Sequence, residues 1–314
     1  MLPLGPKVLQ FNAMIATMGM SLFFILSGFL IVSMLIRKDN VPSFLIRRVC
    51  RIVPLAWAFL IVVLFFNNAN WYAWKANLLF YANLPPFYLD YINGHFWSLC
   101  IEMQFYAAIA LVVGLTGRRG LGLIPIACLG VTMARITYGE TISIVTWFRI
   151  DEILAGGSLA LAFALPGIAK AAAKLPTLTP FLLVPLLLMS CHPALGAMNY
   201  ARPYFAALLI GSTIPRARDA LQRLLCGPIL AYIAQISFAL YVIHPLTDSG
   251  WMGAGDVTVR YIKRIGSFIL SFLFAHFSTF YYESYWIGFG HRLAARIEAK
   301  SALKRGEMPV IENS

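Results

Sequence analysis

Charge is what this chain has least of. Only 12% of its 314 residues are Asp, Glu, Lys or Arg, against about a quarter in soluble domains. A water-exposed globular surface is thereby excluded. Acid is scarcer than base, with 13 Asp and Glu against 25 Lys and Arg. A basic balance can mark a nucleic-acid binder, but here the basic residues are grouped in short loops between apolar stretches, and no nucleic-acid partner is expected. The five cysteines, Cys50, Cys100, Cys128, Cys191 and Cys226, are odd in number and show neither metal-ligand spacing nor a disulfide pattern. They read as free thiols, and no metal is expected. No tandem repeat, low-complexity tract or hydrophilic linker interrupts the chain. One membrane domain is expected over residues 1–300, followed by a polar cytoplasmic tail over 301–314.

What the chain has instead is apolar length. Hydrophobic residues make up 60% of it, and the mean hydropathy is +0.75. Apolar windows approaching the roughly 20 residues that cross a bilayer as a helix recur nine times: Ala13–Ile36, Val53–Phe66, Phe96–Leu115, Gly120–Ala134, Trp147–Leu165, Leu178–Cys191, Tyr200–Ile214, Leu225–Leu246 and Ile265–Trp286. Several are short, and Gly120–Ala134 is the weakest. The expected fold is all-α, a polytopic membrane helix bundle with about nine transmembrane helices. Trp71–Leu84 is aromatic and amphipathic, and reads as an interfacial segment with Trp71, Tyr72 and Trp74 at the headgroup level.

Loop charge sets the orientation. Arg37, Lys38, Arg47, Arg48 and Arg51 follow the first window. Every second loop after it is again basic: Arg118 and Arg119; Lys170 and Lys174; Arg216, Arg218 and Arg223; and, in the tail, Arg292, Arg296, Lys300, Lys304 and Arg305. The positive-inside rule makes these loops and the C-terminus cytoplasmic. The alternate loops, with Asp90, Glu140 and Asp248, then face outside. Nine helices with a cytoplasmic C-terminus put the N-terminus outside, although the opening residues have no signal-peptide layout. One helix preceding Met1 is therefore expected; the alternative is a short N-terminus that is itself translocated.

Glu102 is the most informative single residue. It lies about two turns into the apolar run that begins Phe96-Trp97-Ser98-Leu99-Cys100-Ile101-Glu102, where an ionisable group costs roughly 2.5–3.5 kcal/mol on insertion scales and tends to face a polar interior. Gln104 and Tyr106 add polar groups nearby. Arg48 and Arg51, with Arg47 beside them, stand in a loop at the mouth of the second window, three apart and on one face if helical. Guanidinium forks suit phosphate oxygens; ordinary cytoplasmic flanking charge is the plainer reading. Ser27-Gly28 permits close approach of two helix backbones. Arg149, Asp151 and Glu152 put three charges at the outer end of the fifth window, as a paired interfacial cluster or a polar-substrate site. His95 and His244 stand on the outer side, where a membrane-edge imidazole is either structural or an acid–base group. Glu283 and His276 lie nearer the cytoplasmic half as candidate partners of the basic loops.

Taken together, Phe23–Ile31 (FFILSGFLI), Arg47–Pro54 (RRVCRIVP), His95–Tyr106 (HFWSLCIEMQFY), Phe148–Leu161 (FRIDEILAGGSLAL) and Ile236–Leu246 (ISFALYVIHPL) resemble, in order and over nearly the whole chain, the acyltransferase-3 family of integral membrane acyltransferases. The resemblance implies ten helices in a bacterial inner (plasma) membrane. It also implies transfer of an acyl group, expected to be acetyl, from acyl-CoA to a hydroxyl of a surface glycan, glycolipid or secreted metabolite. Acetyl-CoA is then the expected co-substrate. Membrane lipid and a carbohydrate or lipid-linked acceptor are the expected partners. Arg48 and Arg51 match the family's cytoplasmic RxxR motif, associated with acyl-CoA.

One departure stands out. The family's first helix carries Arg or Lys followed eleven residues later by an essential His, and this chain has no such pair. The absent helix is thus expected on two grounds, and three alternatives stay open: a start assigned downstream of the true one, a truncated chain, or a remnant without normal O-acyltransferase activity. The site expected from these considerations has Glu102 and His244 as catalytic groups, Arg47, Arg48 and Arg51 on the CoA phosphates, and Arg149 and His95 on the acceptor. The competing readings are a transporter or flippase of glycans or small polar solutes, which also places charges at mid-membrane, and a non-catalytic membrane scaffold.

Overall fold

The computed structural model describes residues 6–37, 40–214, 220–248 and 254–304. Lys38, Arg216 and Arg218 of the basic loops, and residues 305–314 of the expected tail, lie outside the described residues. In chain order the helices are α1 (Pro6–Arg37), α2 (Val41–Phe66), α3 (Trp71–Leu78), α4 (Trp97–Thr116), α5 (Leu123–Tyr138), α6 (Asp151–Ala164), α7 (Ile168–Ala173), α8 (Thr179–Ser190), α9 (Arg202–Thr213), α10 (Ala220–Leu225), α11 (Pro228–Ile243), α12 (Val257–Phe277) and α13 (Ser284–Lys304). A π-helical turn, Ser278–Glu283, links the last two. The described residues contain no strand, and the all-α helical bundle holds.

Each of the nine apolar windows contains a helix, but the lengths differ from expectation. Among the described residues, five helical segments are long and apolar enough to cross a membrane: Phe11–Arg37, Val41–Phe66, Gly94–Tyr138, Pro228–Leu246 and Ile262–Ser301. Gly94–Tyr138 holds two of the expected spans, α4 and α5, joined through a 3₁₀ turn at Gly117–Gly122. In contrast α6, α8 and α9 have 14, 12 and 12 residues. Their windows counted apolar residues of the flanking turns, which hydropathy does not separate from helix.

The second helix begins well before its window. Asn40 accepts a hydrogen bond from the Ser43 backbone N–H at 3.1 Å and caps the first turn, where Pro42 is tolerated. Arginine is a good helix former, so Arg47, Arg48 and Arg51 lie inside α2 and not in a preceding loop. Trp71 and Tyr72 are exposed on the short helix α3, while Ala76 and Asn77 are buried.

The chain's contacts divide into two compact units. The first draws on Met1–Asp39, Leu79–Leu89 and His95–Gly227; the second draws on Asn40–Leu78, Asp90–Gly94 and Pro228–Ser314. In the first unit α6 is the centre, packed against α1, α5 and α9. Its contact with α1 is backbone to backbone. A Cβ on Gly28 would overlap the Ile153 carbonyl, and a Cβ on Gly156 would overlap the Ile25 carbonyl. In the second unit α2 packs along α13 and α11 along α12. Gly290 lies against Cys50 there, and the Ser43 hydroxyl donates to the Ala294 carbonyl at 3.2 Å.

Candidate active site

Glu102 is 6% exposed, on the second turn of α4. The Tyr106 hydroxyl, one helical turn on, donates to Glu102 Oε1 at 2.5 Å, and the Ser27 hydroxyl from α1 donates to the same oxygen. Both bonds fall on Oε1. Gln104 belongs to a different polar group. Its Nε2 donates to the Phe80 carbonyl at 2.8 Å and to Asn83 Oδ1 at 2.9 Å, and its Oε1 accepts from the Thr146 hydroxyl at 2.6 Å. Gln104 therefore fastens two connecting segments to α4, a role apart from that of Glu102.

The three charges expected at the start of α6 are buried, and two arginines that the sequence did not single out join them. Arg135, at the end of α5, lies 2.5 Å from Asp151 Oδ2 and donates to the carbonyls of Glu140 and Thr141 at 3.2 and 2.8 Å. Arg202, at the start of α9, lies 2.6 Å from Glu152 Oε1. That oxygen also accepts from the Ser21 hydroxyl of α1 at 2.9 Å. Arg149 is 2% exposed, lies 3.5 Å from Glu152 Oε2, and stacks its guanidinium 5.4 Å from the Trp97 ring centre on α4. Trp97 in turn meets Phe24 edge-on at 5.8 Å. The first unit thus brings Glu102 and Arg149 to the same helix, five positions apart along it through Trp97.

His95 precedes α4 in a 3₁₀ turn, half-buried, with its ring 4.7 Å from Phe96. The remaining candidates belong to the second unit. Arg47 lies 2.6 Å from Glu298 of α13. Arg48 is half-buried and Arg51 exposed, one turn apart on α2. Arg51 interacts electrostatically with Glu283, whose Oε1 accepts from the hydroxyls of Ser278 and Thr279 at 3.1 and 3.0 Å within the π-helical turn. His244 is exposed beyond the end of α11, and its Nδ1 lies 2.7 Å from the Tyr241 carbonyl. A carbonyl only accepts, so Nδ1 carries the proton and Nε2 is the basic nitrogen of the neutral ring. His276 Nδ1 lies 3.0 Å from the Tyr232 hydroxyl. Among the described residues no group of three or more His, Cys, Asp or Glu is placed to hold a metal ion.

Arg135 and Arg202 had one signal in the sequence. Both stand at helix ends that the loop charges assign to the outside, where few cations are expected. The first unit holds a buried carboxylate with one oxygen occupied and, separately, a cluster of guanidinium groups held in place by carboxylates and an indole. Such an arrangement can take a proton from a hydroxyl and hold an anionic or polarised oxygen.

Comparison with known proteins agrees with the resemblance. A family model, the acyltransferase domain Acyl_transf_3, matches residues 2–283. No curated protein and no solved structure gives a match. With the motifs in order, a helical membrane fold and a family match across most of its length, the chain belongs to the acyltransferase-3 family of integral membrane acyltransferases.

Proposed function

We propose that the protein is an O-acyltransferase that moves an acyl group, acetyl first among them, from acyl-CoA to a hydroxyl of a surface glycan, glycolipid or secreted metabolite. The observation that carries this reading is Glu102, buried, with two hydroxyl donors on Oε1; in this reading Oε2 meets the acceptor. In the proposed step the acceptor oxygen attacks the thioester carbonyl carbon. The new C–O bond forms, the C–S bond breaks, and the proton passes from the acceptor through Glu102 to the departing thiolate. His244, through Nε2, is the second proton-handling group. Arg149 and His95 hold the acceptor.

Arg48 and Arg51 hold the CoA phosphates in this reading, and Arg47, paired with Glu298, holds α2 to α13. The C-terminus is assigned to the cytoplasm and the protein to a bacterial inner membrane, which places the arginine pair on the side where acyl-CoA is made. The loop-charge alternation supports that orientation.

The test is incorporation of label from radioactive acetyl-CoA into envelope glycans and lipids, for the wild-type chain and for Glu102→Gln, with membrane insertion verified for both. Labelling by the first and its loss in the second supports the reading. Wild-type-level labelling by Glu102→Gln removes Glu102 from the mechanism. Movement of a solute across the membrane with no covalent product favours the transporter reading instead.

A further inference from the structure

The buried charges at the start of α6 do not balance. Arg135, Arg149 and Arg202 bring three positive charges to two carboxylates, Asp151 and Glu152, all of them buried. Arg135 is matched by Asp151 and by carbonyl groups. Glu152 is left facing two arginines, Arg202 on Oε1 at 2.6 Å and Arg149 on Oε2 at 3.5 Å. Both guanidinium groups converge on that carboxylate, whose Oε2 accepts no hydrogen bond. Nε and Nη1 of Arg149 and Nη2 of Arg202 are buried without a hydrogen-bond partner. Glu102 does not supply the missing charge. It bonds Ser27, six positions and about 9 Å farther along α1 than the Ser21 that bonds Glu152. Water satisfies N–H groups but leaves the surplus charge, and an unpaired buried cation is costly.

We infer that Arg149 and Arg202 form a binding site for one carboxylate of a molecule that enters this unit. A single negative charge equals the surplus, whereas a phosphate dianion exceeds it. Carboxylate oxygens suit guanidinium donors, and Trp97 already holds the Arg149 plane. The inference rests on the reading that Arg149 meets the acceptor or the acyl group, and it names their chemistry: one of the two carries an acid.

The test is thermal unfolding of the full chain in nanodiscs without acyl-CoA. Sodium acetate, succinate, glucuronate and chloride are compared at equal ionic strength. The carboxylates raise Tm saturably, by about 2–4 °C, and chloride does not. Arg149→Gln abolishes the rise, Arg149→Lys weakens binding at least about tenfold by losing the fork, and Arg119→Gln, on an exposed turn, keeps it. Tighter binding of glucuronate than succinate assigns the acid to the acceptor, and the reverse assigns it to the acyl group; both support the site. No rise with any carboxylate, an equal rise with chloride, or an undiminished rise in Arg149→Lys overturns it. Where Arg149→Gln does not accumulate, Arg149→Lys carries the comparison. No transfer is measured, so failure of this site leaves the acyltransferase reading standing, and failure of transfer leaves the binding result intact.

Discussion

Arg202 and Glu152, fifty residues apart in the chain, meet at 2.6 Å in the interior and join α9 to α6. Glu152 is the shared partner of Arg202 and Arg149, so removing it strands two buried cations. Glu152→Gln is expected to cost about 3–5 kcal/mol, and the double variant Glu152→Gln with Arg202→Met to recover part of it. Thermal unfolding of the two variants in nanodiscs checks this. Equal losses in the single and double variants would show that the pair is not coupled.

Gly156→Ala pushes a methyl group into the Ile25 carbonyl, and the overlap is expected to cost about 1–3 kcal/mol. Gly130→Ala, with open space around the added atom, is expected to leave stability unchanged or slightly raised, since alanine is the better helix former. Midpoints of thermal unfolding for the two single variants decide the matter.

Ser27→Ala and Tyr106→Phe each remove one hydroxyl from Glu102 Oε1. A hydrogen bond to a charged group contributes about 1.5–3 kcal/mol, so each variant is expected to transfer acyl groups about ten- to a hundredfold more slowly. Insertion and abundance stay normal. A rate equal to wild type in both would detach the two hydroxyls from the chemistry.

The arginines of α2 are expected to divide in their effects. Arg47→Ala breaks a half-exposed pair with Glu298, worth about 0–1 kcal/mol, and leaves KM for acyl-CoA unchanged. Arg48→Ala and Arg51→Ala raise that KM by about tenfold or more with stability unaffected, in line with the loss of a charge-assisted phosphate contact. Steady-state kinetics over a range of acyl-CoA concentrations separates the two behaviours.

Local relationships were legible in the sequence and distant ones were not. Glu102 stood out because a carboxylate in an apolar run is costly, and its partner Tyr106 lies one turn away. Ser27 is 75 residues distant, and nothing in its own helix distinguishes a hydroxyl that bonds a carboxylate from one that bonds its own backbone. Gly28 was readable as a point of close approach, but not its counterpart Gly156 on α6. Arg135 and Arg202 escaped because their carboxylates are on another helix. The start of α2 was misplaced because hydropathy registers apolar length and is blind to a helix that extends through arginines behind the Asn40 cap.

The helix α6 has a consequence for how the protein is made. Its 14 residues span about 21 Å, less than the roughly 30 Å of hydrocarbon, and it enters the membrane bearing Asp151 and Glu152. Neither length nor charge lets it reside there by itself. The Arg135 partner of Asp151 and the Arg149 partner of Glu152 have already been synthesised when α6 emerges, but Arg202, the nearer partner of Glu152, has not. The full set of charge pairs around α6 thus waits for a residue translated fifty codons later.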